Sequence, residues 1–282
     1  TEIYTLSLHD ALPISDWTIT QNNIYQTATR TTNGSAASIM YPIYIVNSSA
    51  SGGFTVTYNN IGGTAPNCGG TPWTLNYGAT ARANRILGIY FVGNTNVASN
   101  ISYNKISNFS LATSSGASTG AGIWGGISTA GGNVNIEYNQ IGSMTTNGDI
   151  YCVTTTTGAL LVGINSSSNN TVNIRNNQIG GFSTGGTASI GYVVYGINLS
   201  GTGSTLNVSN NQIGSSTQAN SLQSGTLGTT TATCSLRGIN NIATGTGTIS
   251  NNQIINLTSN STGTSSVIAG IFSSNGDRKS VV

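Results

Sequence analysis

The octapeptide VNIEYNQI at residues 134–141 decides the fold, because copies of it recur along the whole chain. Aligned on its last isoleucine, the copies are WTITQNNI, FTVTYNNI, SNISYNKI, VNIEYNQI, VNIRNNQI, LNVSNNQI and GTISNNQI. They end at Ile24, Ile61, Ile106, Ile141, Ile179, Ile213 and Ile254, with successive spacings of 37, 45, 35, 38, 34 and 41 residues. Five positions earlier stands a β-branched residue each time: Ile19, Val56, Ile101, Ile136, Ile174, Val208 or Ile249. Apolar and polar residues alternate with period two, as in Val172-Asn173-Ile174-Arg175, which is the pattern of a half-buried strand. Equivalent strands this far apart in sequence cannot close hairpins with one another. They stack in parallel, one per coil of a solenoid, rather than form a sandwich with a turn every ~8–12 residues. Seven coils about 4.8 Å apart make a rod roughly 34 Å long.

Two positions before each marker isoleucine is an asparagine, at Asn22, Asn59, Asn104, Asn139, Asn177, Asn211 and Asn252. Stacked in register, each amide hydrogen-bonds to its equivalents above and below, an internal asparagine ladder. Asparagine also tolerates the left-handed backbone of a sharp corner, so the same residue is expected to turn the chain. Glu137 and Arg175 share an outward position on adjacent coils and are expected to pair across the strands. A second marker, Gly-Ile, precedes the repeat at Gly88-Ile89, Gly122-Ile123, Gly163-Ile164, Gly196-Ile197 and Gly238-Ile239, with Pro42-Ile43 in the same slot and Gly270-Ile271 last. The distance from the marker isoleucine to the next Gly-Ile varies most, which places insertions on one side of the coil. The expected fold is therefore all-β, a right-handed parallel β-helix of about seven coils, read as a fragment of a longer array.

The ends do not share this pattern. TEIYTLSLHDALPI, residues 1–14, resembles translated sequencing-adapter DNA. The codons CAC GAC GCT CTT CCG ATC for His9–Ile14, reverse-complemented, read Asp277–Val282. Residues 1–14 and 277–282 are therefore set aside as non-native, leaving 15–276 as one β-helix region. Charged residues are only 5% of the chain, against about 25% in an ordinary domain. Within 15–276 the balance is Arg30, Arg82, Arg85, Lys105, Arg175 and Arg237 against Asp16, Glu137 and Asp149, or 6 − 3 = +3, with no histidine. Scattered basic residues exclude a nucleic-acid partner, and no apolar run is long enough to span a bilayer. Cys68, Cys152 and Cys234 lack metal-site spacing and stand either as buried or loop thiols or with one disulfide among them.

The NNQIG strand ends, the loop GGTAPNCGGTPWTL at Gly62–Leu75, the stretch IGSSTQANSL at Ile213–Leu222 and the recurring GI strands resemble the large secreted β-strand-repeat proteins of Bacteroidota. That resemblance covers nearly all of 16–276 and implies a pectate-lyase-like parallel β-helix, export and a place outside the cell or on its surface. Its motifs specify architecture, not activity. No type IX sorting domain, common at the end of such proteins, is present in these residues.

Chemistry has few residues to work with. Hydrolysis of a glycosidic bond with inversion needs two carboxyl groups about 6.5–9.5 Å apart, and with Asp16 about three coils away Glu137 with Asp149 is the one conceivable pair. A calcium-assisted lyase needs an acidic cluster that is missing, and serine or cysteine nucleophiles lack a histidine base. GINLSGTGS at Gly196–Ser204 superficially looks like a phosphate loop but is a turn between strands. No catalytic residue, metal or cofactor is expected. The expected function is a non-catalytic extracellular structural or adhesive rod, with carbohydrate-binding or a polysaccharide lyase or hydrolase as the alternative. Surface glycans or other cell-surface components are the expected partners. Trp17, Trp73, Trp124 and the twelve tyrosines are the candidates for stacking on sugars, with Trp73 and Trp124 the freer ones because Trp17 falls in an inward column with Phe54, and binding is expected in the variable loops, above all the long one at Gly214–Arg237.

Overall fold

The computed structural model describes residues 16–33, 38–48, 52–187, 189–225 and 231–274, and the two adapter-like ends lie outside them. Each coil contributes four short strands, and every strand pairs in parallel with its equivalents one coil away, which makes four parallel sheets. This is the topology of a parallel β-helix. Sheet A holds the first half of the repeated octapeptide, from Trp17–Thr20 through Val134–Glu137 to Thr246–Ser250. Sheet B holds its end, from Asn23–Ile24 to Gln253–Ile254; sheet C runs from Arg30–Thr32 to Leu257–Ser259, and sheet D from Ile39–Met40 to Val267–Ser273. Register follows the sequence alignment, with Ile101 opposite Ile136, Ile136 opposite Ile174, and Ile174 opposite Val208. The marker isoleucines Ile61, Ile106, Ile141, Ile179 and Ile213 are fully buried, each contributing on the order of 1.5–3 kcal/mol of burial.

The two sequence markers meet inside the coil. A Cβ added to Gly163 would lie 2.6 Å from Cγ2 of Ile179 and 2.6 Å from the Gly196 carbonyl, and Gly196 and Gly238 repeat this against Ile213 and Ile254. The glycine exists so that the isoleucine of the following octapeptide can approach its backbone. In one coil the sequence assignment needs correcting. Gly126, not Gly122, abuts Ile141, and Ile127, not Ile123, pairs with Ile89 and Ile164. Gly122 is a turn residue at φ +66. Pro42-Ile43 and Gly270-Ile271 do fill the slot, Ile43 opposite Ile89 and Ile271 opposite Ile239.

The asparagine ladder is present in full. Nδ2 of each asparagine donates to Oδ1 of the next, from Asn22 through Asn59, Asn104, Asn139, Asn177 and Asn211 to Asn252, at 2.9–3.0 Å. The same Oδ1 also accepts a backbone N–H, as Asn177 does from Asn139. The corner itself is turned by a different residue. The positive φ belongs to the residue just before the ladder, Gln21, Tyr58, Tyr103, Tyr138, Asn176, Asn210 or Asn251, at 53–60°. Ladder asparagines point inward, and their neighbours make the turn.

Two further ladders are present. Asn100, Asn135, Asn173 and Asn207 bond in series on the outside of sheet A. On sheet D, Asn240 donates to Asn198, Asn198 to Asn165 and Asn165 to Ser128. Insertions collect at two corners rather than one, before and after sheet C. One coil passes from Gln178–Gly180 to Phe182–Gly185 at once, while another inserts the Pro66–Cys68 turn between Asn60–Ile61 and Trp73–Tyr77. The long segment Gly214–Arg237 includes the sheet C strand Leu222–Ser224, and its residues 226–230 lie outside the described set.

Candidate functional site

Trp73 and Trp124 are 1% and 0% exposed, so neither offers a ring face to a ligand. Trp73 belongs to the inward column of sheet C opposite Phe109, and Trp124 to that of sheet D opposite Ile86 and Leu161. The two stack or pack edge-on with Phe109 and Phe182 inside the coil. Trp17 pairs in register with Phe54 as expected. Sheet C carries no recurring motif to fix which residues face inward, and on sheet D it is the Gly126-Ile127 slot that sets Trp124 in the inward column.

The carboxylates are not brought together either. Asp16 accepts from the Gly53 N–H at 3.0 Å. Glu137 ends a sheet A strand and pairs with Arg175 at 2.9 Å, as the sequence led one to expect. Asp149 precedes the sheet C strand Ile150–Thr154 and accepts from the Ser107 hydroxyl at 2.8 Å and the Asn108 N–H at 3.0 Å. Burial pushes the Asp149 carboxyl above its ordinary range, against the pull of those two donors and of Lys105. Its position is that of a clamp on the corner at Asn108, whose φ is +66. Nearby, burial pushes the Cys68 thiol up to about 11, so it is a protonated group rather than a nucleophile at neutral pH. Cys68, Cys152 and Cys234 are all unpaired and buried. Among the described residues no three histidine, cysteine or acidic side chains are grouped to hold a metal ion, and no helix is long and apolar enough to cross a membrane.

The surface has one feature of another kind. At the corner between sheets A and B the left-handed residue is tyrosine on three consecutive coils, Tyr58, Tyr103 and Tyr138. Their rings stack along the helix axis at 5.0 Å between centroids, tilted by 8° and 3°. They remain 53%, 46% and 47% exposed. A left-handed conformation costs an ordinary side chain roughly 1–2 kcal/mol, and asparagine tolerates it best after glycine. Three later coils use asparagine there, at Asn176, Asn210 and Asn251. The tyrosines thus occupy a costly position without being buried.

Beside the rings, two residues further along each coil, an outward column runs Asn60, Lys105, Gln140 and Gln178 in register. Rings, amides and the Lys105 amine line a shallow groove of about 460 Å³ that continues past Tyr138 to Asn176. The Tyr103 hydroxyl is held above its ordinary range by desolvation first, then by its neighbours Tyr138 and Tyr58 and the charge of Glu137, so at neutral pH it both donates and accepts hydrogen bonds. "YNN" and "YNQ" in the octapeptide contain the signal for this column. Residue type marks these tyrosines as rings able to stack, but not that they share one exposed column, which follows from the left-handed corner.

By fold and surface the molecule is a charge-poor parallel β-helix with an aromatic corner. Set against family models, curated proteins and solved structures, the chain finds no match.

Proposed function

We propose that this β-helix is a non-catalytic rod that serves outside the cell in structure or adhesion. The observation that carries the reading is the dispersal of the three carboxylates among the described residues. Asp16, Glu137 and Asp149 each hold a different structural contact at a different place on the coils. General acid and base catalysis requires two such groups facing one bond, and these three face three separate partners. The neutral polar surface, the paired amide columns and the resemblance to secreted β-strand-repeat proteins of Bacteroidota support an extracellular or surface location.

Incubation with polygalacturonate, alginate and neutral polysaccharides tests the reading by release of reducing or unsaturated ends. The expected result is no turnover, with Glu137→Gln and Asp149→Asn indistinguishable from the parent. Cleavage that either substitution abolishes overturns it in favour of a lyase or hydrolase.

A further inference from the structure

We propose that the tyrosine corner is a binding site for a neutral oligosaccharide laid along the helix axis across Tyr58, Tyr103 and Tyr138. The inference deepens the adhesive reading and rests on it in one respect, that the bound chain is held and not cut.

Four observations converge. Tyrosine stands at a left-handed backbone position where the same fold uses asparagine on three other coils. The rings stay about half exposed, so burial does not offset that conformational cost. A ligand does so when it covers them.

The site also repeats. Each of the three coils presents a phenol hydroxyl and, just beyond the inward ladder asparagine, an outward Asn60, Lys105 or Gln140, with Gln178 continuing the row. A polymer of identical hydroxyl-bearing units matches a surface whose donors and acceptors recur at the rise of the coil.

Charge selects the class of polymer. Lys105 is the cation in the groove lining, and the Arg175 charge, outside that lining, is met by Glu137 at 2.9 Å. An acidic polysaccharide or a nucleic acid needs a run of such cations. A neutral sugar needs what is present, amphipathic rings flanked by amides.

Ring geometry says how the chain is held. The middle ring, Tyr103, is sandwiched and offers its edge and hydroxyl. Tyr138 ends the stack, and the next position along the corner is Asn176, which carries no ring. One sugar unit therefore stacks on the free side of Tyr138, over Asn176 and Gln178, and the rest of the chain follows the hydroxyl row.

Calorimetric titration with the hexaoses of cellulose, chitin, mannan and xylan, with hexagalacturonate as the acidic counterpart, tests this on the full chain. At least one neutral series is expected to bind more tightly as it lengthens, and hexagalacturonate is expected not to. In the triple variant Tyr58→Asn, Tyr103→Asn, Tyr138→Asn, affinity falls at least about tenfold, or about 1.4 kcal/mol, while the unfolding midpoint holds or rises. Tyr103→Phe, which keeps the stack and removes a hydroxyl, weakens binding several-fold with no loss of stability. Failure of every neutral series to bind, undiminished affinity in the triple variant, or its unfolding overturns the proposal. Sugar fragments appearing in the titration cell count against the non-catalytic reading alone, so the two failures are distinguishable.

Discussion

The corner between sheets A and B carries two adjacent columns, and they vary in opposite ways. The inward column is asparagine on all seven coils, from Asn22 to Asn252, each Nδ2 engaged with the next Oδ1. The column one residue earlier makes the turn, faces out, and changes from Gln21 to three tyrosines to three asparagines. Both meet the same backbone at the same rise. The difference teaches that a column is held to one residue type where buried amides pair with one another. Outside, the backbone asks for tolerance of positive φ, and the ring is free to be selected for something else.

The glycine slot sharpens this comparison with the largest expected effect. Gly163→Ala forces a methyl to within 2.6 Å of the Gly196 carbonyl and of Ile179, and overpacking of this kind costs about 1–3 kcal/mol or more. Gly270 occupies the same slot on the last described coil, and among the described residues nothing lies within 4 Å of an added Cβ. Gly270→Ala should be neutral or stabilising by roughly 0.4–1 kcal/mol. Denaturant melts of the two variants check it, and equal losses would mean the slot is not set by coil-to-coil contact.

A smaller effect concerns Asp149, at the corner between sheets B and C. Its folded-state pKa is raised, chiefly by burial, so the folded chain holds that proton more tightly than the unfolded one. Stability linked to this group is present below the ordinary carboxylate range and is lost as pH rises through the raised value. Asp149→Asn keeps an oxygen for Ser107 and Asn108, which both use the same carboxylate oxygen, and removes the buried charge. The variant should match the parent in acid and exceed it at neutral pH. Melting curves across that range would show the reverse order if the charge is what secures the corner.

Sheets A and B were legible in the sequence because the octapeptide writes their register directly, down to the Glu137–Arg175 pair. The same doublets that revealed the ladder hid the turn residue. In NNQI both asparagines suit a corner, and the structure gives it to Asn176, Asn210 and Asn251. Gly122-Ile123 was misassigned because a Gly-Ile doublet arises in a turn as readily as in the slot. Sheet C has no recurring motif to mark Trp73 as inward, and taking Gly122-Ile123 for the sheet D slot in place of Gly126-Ile127 displaces Trp124 by four residues from its buried position. Asn165, Asn198 and Asn240 follow an isoleucine of the slot each time, a recurrence the sequence did contain. The tyrosine corner depends on backbone handedness, which residue type alone does not specify.

Asn210 and Asn211 test the central contrast within one dipeptide. Asn210 is exposed at φ 57, whereas Asn211 is 1% exposed, donates to the Ile174 carbonyl and to Asn252, and accepts from Asn177. The decisive measurement is the unfolding free energy of Asn210→Gly and Asn211→Ala side by side. Glycine takes the left-handed corner without strain, so the first should change little. The second strands buried partners on two coils, at about 1–3 kcal/mol for each group left unpaired. A loss of roughly 3 kcal/mol or more confined to Asn211→Ala is the expected result, and equal tolerance of both substitutions contradicts the account.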